Sequence, residues 1–496
     1  MKFLEFLKGV LRNMFSSSTI ETALHIQPAV SSKMKTALEL WESMYVDESP
    51  WTANDNVTSL GLPAMIASEK ARTATIEMEI KVTGENSKAD FIKDCLAKLQ
   101  KHLRENLECG IALGGFVIKP YIVKGIDDKY TIEFSYVKAT DFYPLSFSTT
   151  GNVTEAAFID RIISGDVVFS KVEYHKLEGN TLTVINKAFR ATNRLNQTTA
   201  FSSGELGTEI YLTEVPEWSN ITPQVTINNI DTLLFAYFKM PDKNTVDLNS
   251  PLGVSGYARA VNLIKDADEQ YSNLLWEFEG SELAVDIDPL ALKPRKDSAG
   301  KDVPRLNERL FRGVDPGQES FYNVFSPAIR DVSLINGLNQ MLMIVEDLCG
   351  LARGTLSNAN TEARTATELR IIRQRSYATV HDNQVALENC LKNVVRAMDK
   401  YATVYNLAPE GEYEVSFEWD DSIITDTEQQ MKERLSLLGS DVTSKSELRQ
   451  WYFGETEAQA QAAIQAIAEE QASQMPDLQS LLPSVGPDTA SNPAAG

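Results

Sequence analysis

The 496-residue chain has four cysteines, Cys95, Cys109, Cys349 and Cys390, and no two of them form a C-x-x-C pair. So few thiols in so long a chain argue against a disulfide framework. Each lies in a helical pattern, which points to buried, reduced thiols and fits an intracellular origin. The four histidines, His25, His102, His175 and His381, are scattered without metal-ligand spacing. No run of eighteen apolar residues exists, which excludes a transmembrane helix on hydropathy. There is no P-loop, G-x-G-x-x-G, H-E-x-x-H or G-x-S-x-G, and no nucleophile–base pair can be named. The bare acidic pairs Asp286/Asp288 and Asp420/Asp421 read as solvated carboxylates. The second pair, with Asp426, precedes a helix, where negative charge suits the macrodipole. The expectation is a protein with no cofactor, no metal and no catalysis. Positive charge is short as well: 47 Lys and Arg against 69 Asp and Glu leave a net charge of −22. Such a chain is unsuited to coating nucleic acid, because phosphate binding needs cations. It can still surround DNA without sticking to it.

The chain has the length of two to four domains and the apolar content of an ordinary soluble protein, 43%. Phe3, Phe6, Leu7, Val10, Leu11 and Met14 share one helical face. Glu5, Lys8 and Arg12 break the linear run, so an amphipathic helix packing on protein is expected rather than a signal peptide. Residues 1–110 read as mainly helical, with Phe91, Cys95, Leu99, Leu103 and Leu107 at helical spacing and Gly110 as the expected C-cap. The period then changes. Phe116–Val123, Tyr130–Val137, Ala156–Ile163, Val167–His175 and Thr181–Phe189 are β-type runs separated by turn residues, giving an antiparallel meander over 111–235.

From Ser255 to Phe278 an apolar stripe of Ile264, Ala267, Tyr271, Leu274 and Phe278 marks a helix. A proline-punctuated insertion follows, to about Arg330. Its signals exclude long helices and suggest a small α/β or β-hairpin module. Val332–Leu348 is again helical. Residues 350–365 are rich in Gly, Asn and Thr and read as a flexible hinge. About forty residues without Pro or Gly then run to Tyr405; that helix would be ~60 Å long, a strut for a large assembly. Glu414–Trp419 alternates like a strand. Thr425-x-x-Glu428, Ser444-x-x-Glu447 and Thr456-x-x-Gln459 are capping boxes opening three short helices, the first two closed by Gly439 and Gly454. The Pro-rich end reads as a disordered tail.

Charge is uneven. From Ala408 onward there are 17 acidic residues against 4 basic ones. Two basic islands oppose this trend. One is Lys293, Arg295, Lys296, Lys301, Arg305, Arg309 and Arg312. The other is Arg353, Arg364, Arg370, Arg373 and Arg375. Ion pairing within or between subunits explains such islands as readily as transient contact with phosphates or an acidic partner.

Four segments carry a resemblance: G-L-A-R-G-T-L-S-N at 350–358, T-A-T-E-L-R-I-I-R-Q-R-S-Y-A-T-V at 365–380, F-x-W-D-D-S-I-I-T-D at 417–426 and S-K-S-E-L-R at 444–449. With the order helix, insertion, helix, loop, long helix, they resemble the portal proteins (head–tail connectors) of tailed bacteriophages, in the branch common among long-tailed phages of Gram-positive hosts. The resemblance implies an α+β, mainly helical fold. Residues 1–254 and 366–422 would form a wing, 255–279 and 331–349 a two-helix stem, and 280–330 a small α/β clip. A tunnel loop would follow at 350–365, a helical crown at 423–475 and a disordered tail at 476–496.

It also implies a ring of twelve subunits at one capsid vertex, assembled in the host cytoplasm and carried in the virion. The implied partners are the terminase large subunit, a head-completion adaptor, the major capsid and scaffolding proteins, and double-stranded DNA passing non-specifically, with no membrane. The channel candidates are Arg353, Ser357, Asn358, Asn360 and Arg364. The candidates for adaptor or terminase contact are Lys293, Arg295, Lys296, Arg305, Arg309, Arg312, Phe321 and Tyr322. A ring of acidic subunits would repel the DNA backbone and prevent stalling. A tail or baseplate protein would be equally poor in motifs and equally oligomeric, and a nucleic-acid-processing enzyme would need a site that no motif marks.

Overall fold

The structure, a computed structural model, describes residues 30–474 apart from breaks at 54–55, 77, 125–129, 149–151, 193–205, 283, 288–294, 297–299, 301, 304–310, 314–321, 326–327, 359–365, 420–426 and 441. The amphipathic segment from Phe3 to Met14 and the expected tail at 476–496 lie outside the described residues. The chain divides into two units at Trp419/Asp420.

In the first unit, helices α1 (Ser32–Tyr45), α2 (Leu62–Thr75) and α3 (Ser87–Leu113) form a helical body. Their apolar stripes meet: Met34, Trp41, Ile66, Leu99 and Leu103 are all buried in one core. The cap of α3 lies one turn beyond the expected Gly110. Gly114 ends the helix in the left-handed conformation. Gly110 lies inside the helix, where a Cβ would stand 2.3 Å from the Phe116 ring. Its glycine therefore answers to close packing rather than to capping. The N-terminal region is not purely helical either. Strand β1 (Met78–Thr83) pairs antiparallel with a strand more than three hundred residues away, β16 (Glu414–Trp419).

The expected meander is two sheets. Strands β2 (Gly115–Lys124), β3 (Tyr130–Lys138) and β10 (Ala236–Lys239) form an antiparallel sheet in the order β10-β2-β3, packed on α3. A second antiparallel sheet follows the order β4 (Phe142–Phe147), β5 (Val153–Ser164), β6 (Val167–Glu178), β7 (Thr181–Thr192), β8 (Thr208–Ile210), with β9 (Gln224–Asn228) also pairing with β7. Gly165 and Gly179 supply positive φ in the tight turns on either side of β6.

Helix α4 (Val261–Gly280) follows a 3-10 turn over Ala258–Ala260, so it starts six residues later than the periodicity suggests. The described strands of the insertion are β11 (Ala284–Ile287), β12 (Arg295–Lys296), β13 (Asp302–Val303), β14 (Phe311–Gly313) and β15 (Tyr322–Phe325). β11 pairs in parallel with β14 and antiparallel with β15, while β12 and β13 form a short hairpin. Helix α5 (Asp331–Cys349) returns from the insertion. The long helix α6 (Ala366–Val404) then runs 39 residues, ~58 Å. It buries Leu387, Leu391, Val394 and Met398 against the same core.

In the second unit, α7 (Thr427–Gly439), α8 (Lys445–Phe453) and α9 (Glu457–Gln474) follow one another. Two of the expected capping boxes are formed: Glu447 N–H donates to Ser444 Oγ, and Gln459 Oε1 accepts from Thr456 N–H. The box at Thr425 lies outside the described residues. Gly454 closes α8 in the left-handed conformation. Arg449 makes a two-pronged pair with Glu455, and Arg434 lies over the Trp451 ring at 4.4 Å. Helix α8 buries none of its residues. All four cysteines are free, as their spacing suggested, and three are buried. Among the described residues no helix is long and apolar enough to cross a membrane.

Candidate functional site

The candidate site is the antiparallel pair α4 and α5 with the loop that leaves α5. The root of α4 is fixed by buried polar groups. Asp268 accepts from Trp51 Nε1 at 2.8 Å and from the Leu60 N–H at 2.9 Å, and Ser272 Oγ accepts from the Thr58 N–H. Lys70, buried on α2, donates to the Gly256 carbonyl at 2.9 Å. Burial pulls its ammonium below the usual lysine range, and burial likewise pushes the neighbouring Cys349 thiol up to about 11. The far end of the pair is closed by Arg330, whose backbone N–H, Nε and Nη2 all donate to Glu277. These hydrogen bonds hold the Glu277 carboxyl below its ordinary value.

Towards that far end the apolar stripe of α4 changes character. Ile264, Ala267 and Leu274 are buried, but Phe278 is exposed and Trp276 is 67% exposed. Val332, in the first turn of α5, is 65% exposed, and Ile335 lies open one turn on. The end of the hairpin nearest the insertion thus presents large apolar side chains that the described residues leave uncovered. That is unusual for an isolated subunit.

The other end of α5 carries the loop. Gly350 caps the helix at φ +70°, and a Cβ there would meet Thr379 Oγ1 of α6 at 2.4 Å. The chain then folds back along α5. Leu351 N–H donates to the Glu346 carbonyl at 2.9 Å, and a tight turn brings Thr355 onto the Ala352 carbonyl. The Glu346 carboxylate, with no exposed surface, accepts from three backbone N–H groups and one hydroxyl. They are Gly354 N at 3.1 Å, Leu356 N at 2.6 Å, Ser357 N at 2.7 Å and Ser357 Oγ at 2.8 Å. Two turns back on α5, the Asn339 side chain takes both backbone groups of Asn358: N–H to Oδ1 at 2.7 Å, and Nδ2 to the carbonyl at 3.3 Å.

The described half of the expected hinge, Gly350–Asn358, is therefore docked structure. Among the channel candidates, Ser357 is 7% exposed and donates its hydroxyl to Glu346, so it supports the loop from inside. Asn358 is exposed but tied to Asn339. Arg353 is exposed and pairs with Asp347 at 2.7 Å, which raises its guanidinium pKa. Asn360 and Arg364 lie outside the described residues. Of the insertion candidates, Arg295 and Lys296 sit on β12, Arg312 on β14 and Tyr322 on β15. Lys293, Arg305, Arg309 and Phe321 lie outside the described residues.

Sequence reading missed Glu346 and Asn339. The available signal was a carboxylate within M-L-M-I-V-E-D-L-C-G, at a position where the helical period calls for an apolar residue, followed at once by a loop rich in small residues. A buried acid next to a segment full of unpaired N–H groups is a natural receptor for them.

All these polar contacts tie one part of the chain to another, and among the described residues no cluster of His, Cys, Asp and Glu suits a metal ion. The geometry describes a structural scaffold: a mixed helix-and-strand body carrying a helix pair with an insertion at one end and a docked loop at the other. Comparison with known families agrees. The model of the phage portal proteins, SPP1 Gp6-like, matches residues 33–477, nearly the whole chain. The chain belongs to this family of phage portal proteins, structural proteins of the virion that serve genome packaging. A comparison with curated proteins returns no match.

Proposed function

We propose that the chain forms a ring of twelve subunits at one capsid vertex, through which DNA enters during packaging and leaves at ejection. The observation that carries this reading is the uncovered apolar end of the α4–α5 pair. Trp276, Phe278, Val332 and Ile335 sit on rigid helices, and a neighbouring copy of the same pair is the partner that a closed ring supplies to every subunit in turn. α4 and α5 are then the stem, 280–330 the clip, 350–365 the tunnel loop and 423–475 the crown. Residues 1–254 with 366–422 are the wing. The ring assembles in the host cytoplasm and contacts the capsid and scaffolding proteins; it hydrolyses no nucleotide, and the packaging motor is a separate ATPase.

The clip, with its basic island at 293–312, is the docking platform for the acidic or mixed surfaces of the terminase large subunit and later of the head-completion adaptor. Deleting 290–312 tests this. Rings should persist while adaptor docking is lost. Normal docking by the deleted protein would remove the clip from that role, and loss of the ring would instead make the segment a contact between clips.

A further inference from the structure

Glu346 is a charged side chain with no exposed surface on a helix that otherwise buries apolar residues. Taking a carboxylate out of water is costly unless donors replace its hydration. Here the described donors are the Gly354, Leu356 and Ser357 N–H groups and the Ser357 hydroxyl. Three N–H groups of one short loop converge on the anion, and hydrogen bonds to a charged acceptor are the stronger kind. Asn339, two turns away (~10 Å along the axis), adds the paired bonds to Asn358. Five donors within residues 354–358, four N–H groups and one hydroxyl, face acceptors on α5.

We propose that Glu346, aided by Asn339, is the positioning residue of this loop: it makes residues 354–358 part of α5, so that a shift or tilt of α5 reaches the loop without slack. The proposal rests on the reading of α5 as a stem helix and of the loop as part of a DNA conduit. Fifteen residues separate Gly350 from Ala366, but only seven separate the anchored Asn358 from Ala366. Docking thus halves the chain over which a movement of α5 could be absorbed. It also assigns Ser357 a supporting role and explains why a small hydroxyl residue stands there: its Oγ reaches the second carboxylate oxygen while its N–H reaches the first.

The test uses full-length rings and two readouts. The first is hydrogen exchange at the Gly354, Leu356 and Ser357 amides, which should be protected in the unaltered protein and exchange at least about tenfold faster in Glu346→Ala. Glu346→Gln keeps one neutral oxygen for the three N–H groups that meet at Oε1 and should fall between the unaltered protein and Glu346→Ala. Ser357→Ala and Asn339→Ala leave the carboxylate in place and serve if Glu346→Ala fails to fold. Each should loosen only its own contacts.

The second readout is the length of DNA packaged and retained by particles built with each variant. It should fall in the order of exchange, Glu346→Ala most and Glu346→Gln less, with ring assembly unchanged. Unchanged exchange in Glu346→Ala would overturn the latch. Faster exchange with full-length packaging would overturn its role in positioning. Deleting 352–358 separates the two readings: if that deletion also packages normally, the loop is no part of the conduit, whatever holds it.

Discussion

Trp276→Glu is the sharpest perturbation of the proposed assembly. Trp276 stands 67% exposed near the end of α4, so its loss should cost the isolated chain little. A buried aromatic side chain removes roughly 150–250 Å² from water. Two thirds of that, covered by a neighbouring subunit, is roughly 100–170 Å², worth about 2.5–4 kcal/mol at about 25 cal/mol per Å². With a tenfold change in affinity per about 1.4 kcal/mol, each subunit contact would weaken by about two to three orders of magnitude. Glutamate adds the cost of burying a charge against an apolar surface. In a closed ring the effect repeats at every interface. Light scattering and mass photometry across a dilution series should therefore show Trp276→Glu dissociating at concentrations where the unaltered protein is fully assembled, with Trp276→Ala between. The thermal transition of the dissociated chains should match. Rings of Trp276→Glu that survive dilution as the unaltered ones do would refute the reasoning. A variant chain that no longer folds would place Trp276 in the subunit's own core, against its observed exposure.

The remaining predictions concern the body of the subunit. Asp268→Asn leaves one acceptor for two donors, Trp51 Nε1–H and Leu60 N–H, and should cost about 1–3 kcal/mol, read as a lowered denaturation midpoint; an unchanged midpoint would show that the root of α4 is held elsewhere. His175 packs edge-to-face against both the Phe158 and Phe235 rings, with Nε2 on Glu173, which Lys119 also binds. Burial holds the His175 imidazole below its ordinary value despite Glu173. Glu173 also lies low: burial works against it, but Lys119 and His175 prevail. Both shifts are downward, so their stabilisation is present above the unfolded-state values and is lost as pH falls through the folded ones, beginning below about 6.5 for the imidazole. Melting temperatures measured from pH 7.5 to 5 should fall more steeply for the unaltered protein than for His175→Asn, and parallel curves would contradict this.

Much of the fold was legible because it is local. The runs at 116–123, 130–137 and 167–175 became strands within a few residues of those limits, and the helices flanking the loop lie where the periodicity put them. The boxes at Ser444 and Thr456 formed because capping needs only four consecutive residues. What stayed hidden depends on distance or on space. β1 has its partner strand more than three hundred residues away, and no local pattern announces such a pairing. Gly110 looks like a cap until Phe116 is seen pressed against it. Residues 350–358 have the composition of a flexible linker. Their order comes from Glu346 and Asn339 on the preceding helix, and composition within the loop does not reveal an acceptor outside it.

The central claim is that identical subunits close around an axial channel. Electron microscopy of the purified full-length chain tests it most directly. A closed ring with twelvefold symmetry and a central opening wide enough for a DNA duplex is the predicted result. A monomer at assembly concentrations, an open filament, or a closed particle without an axial opening would contradict it.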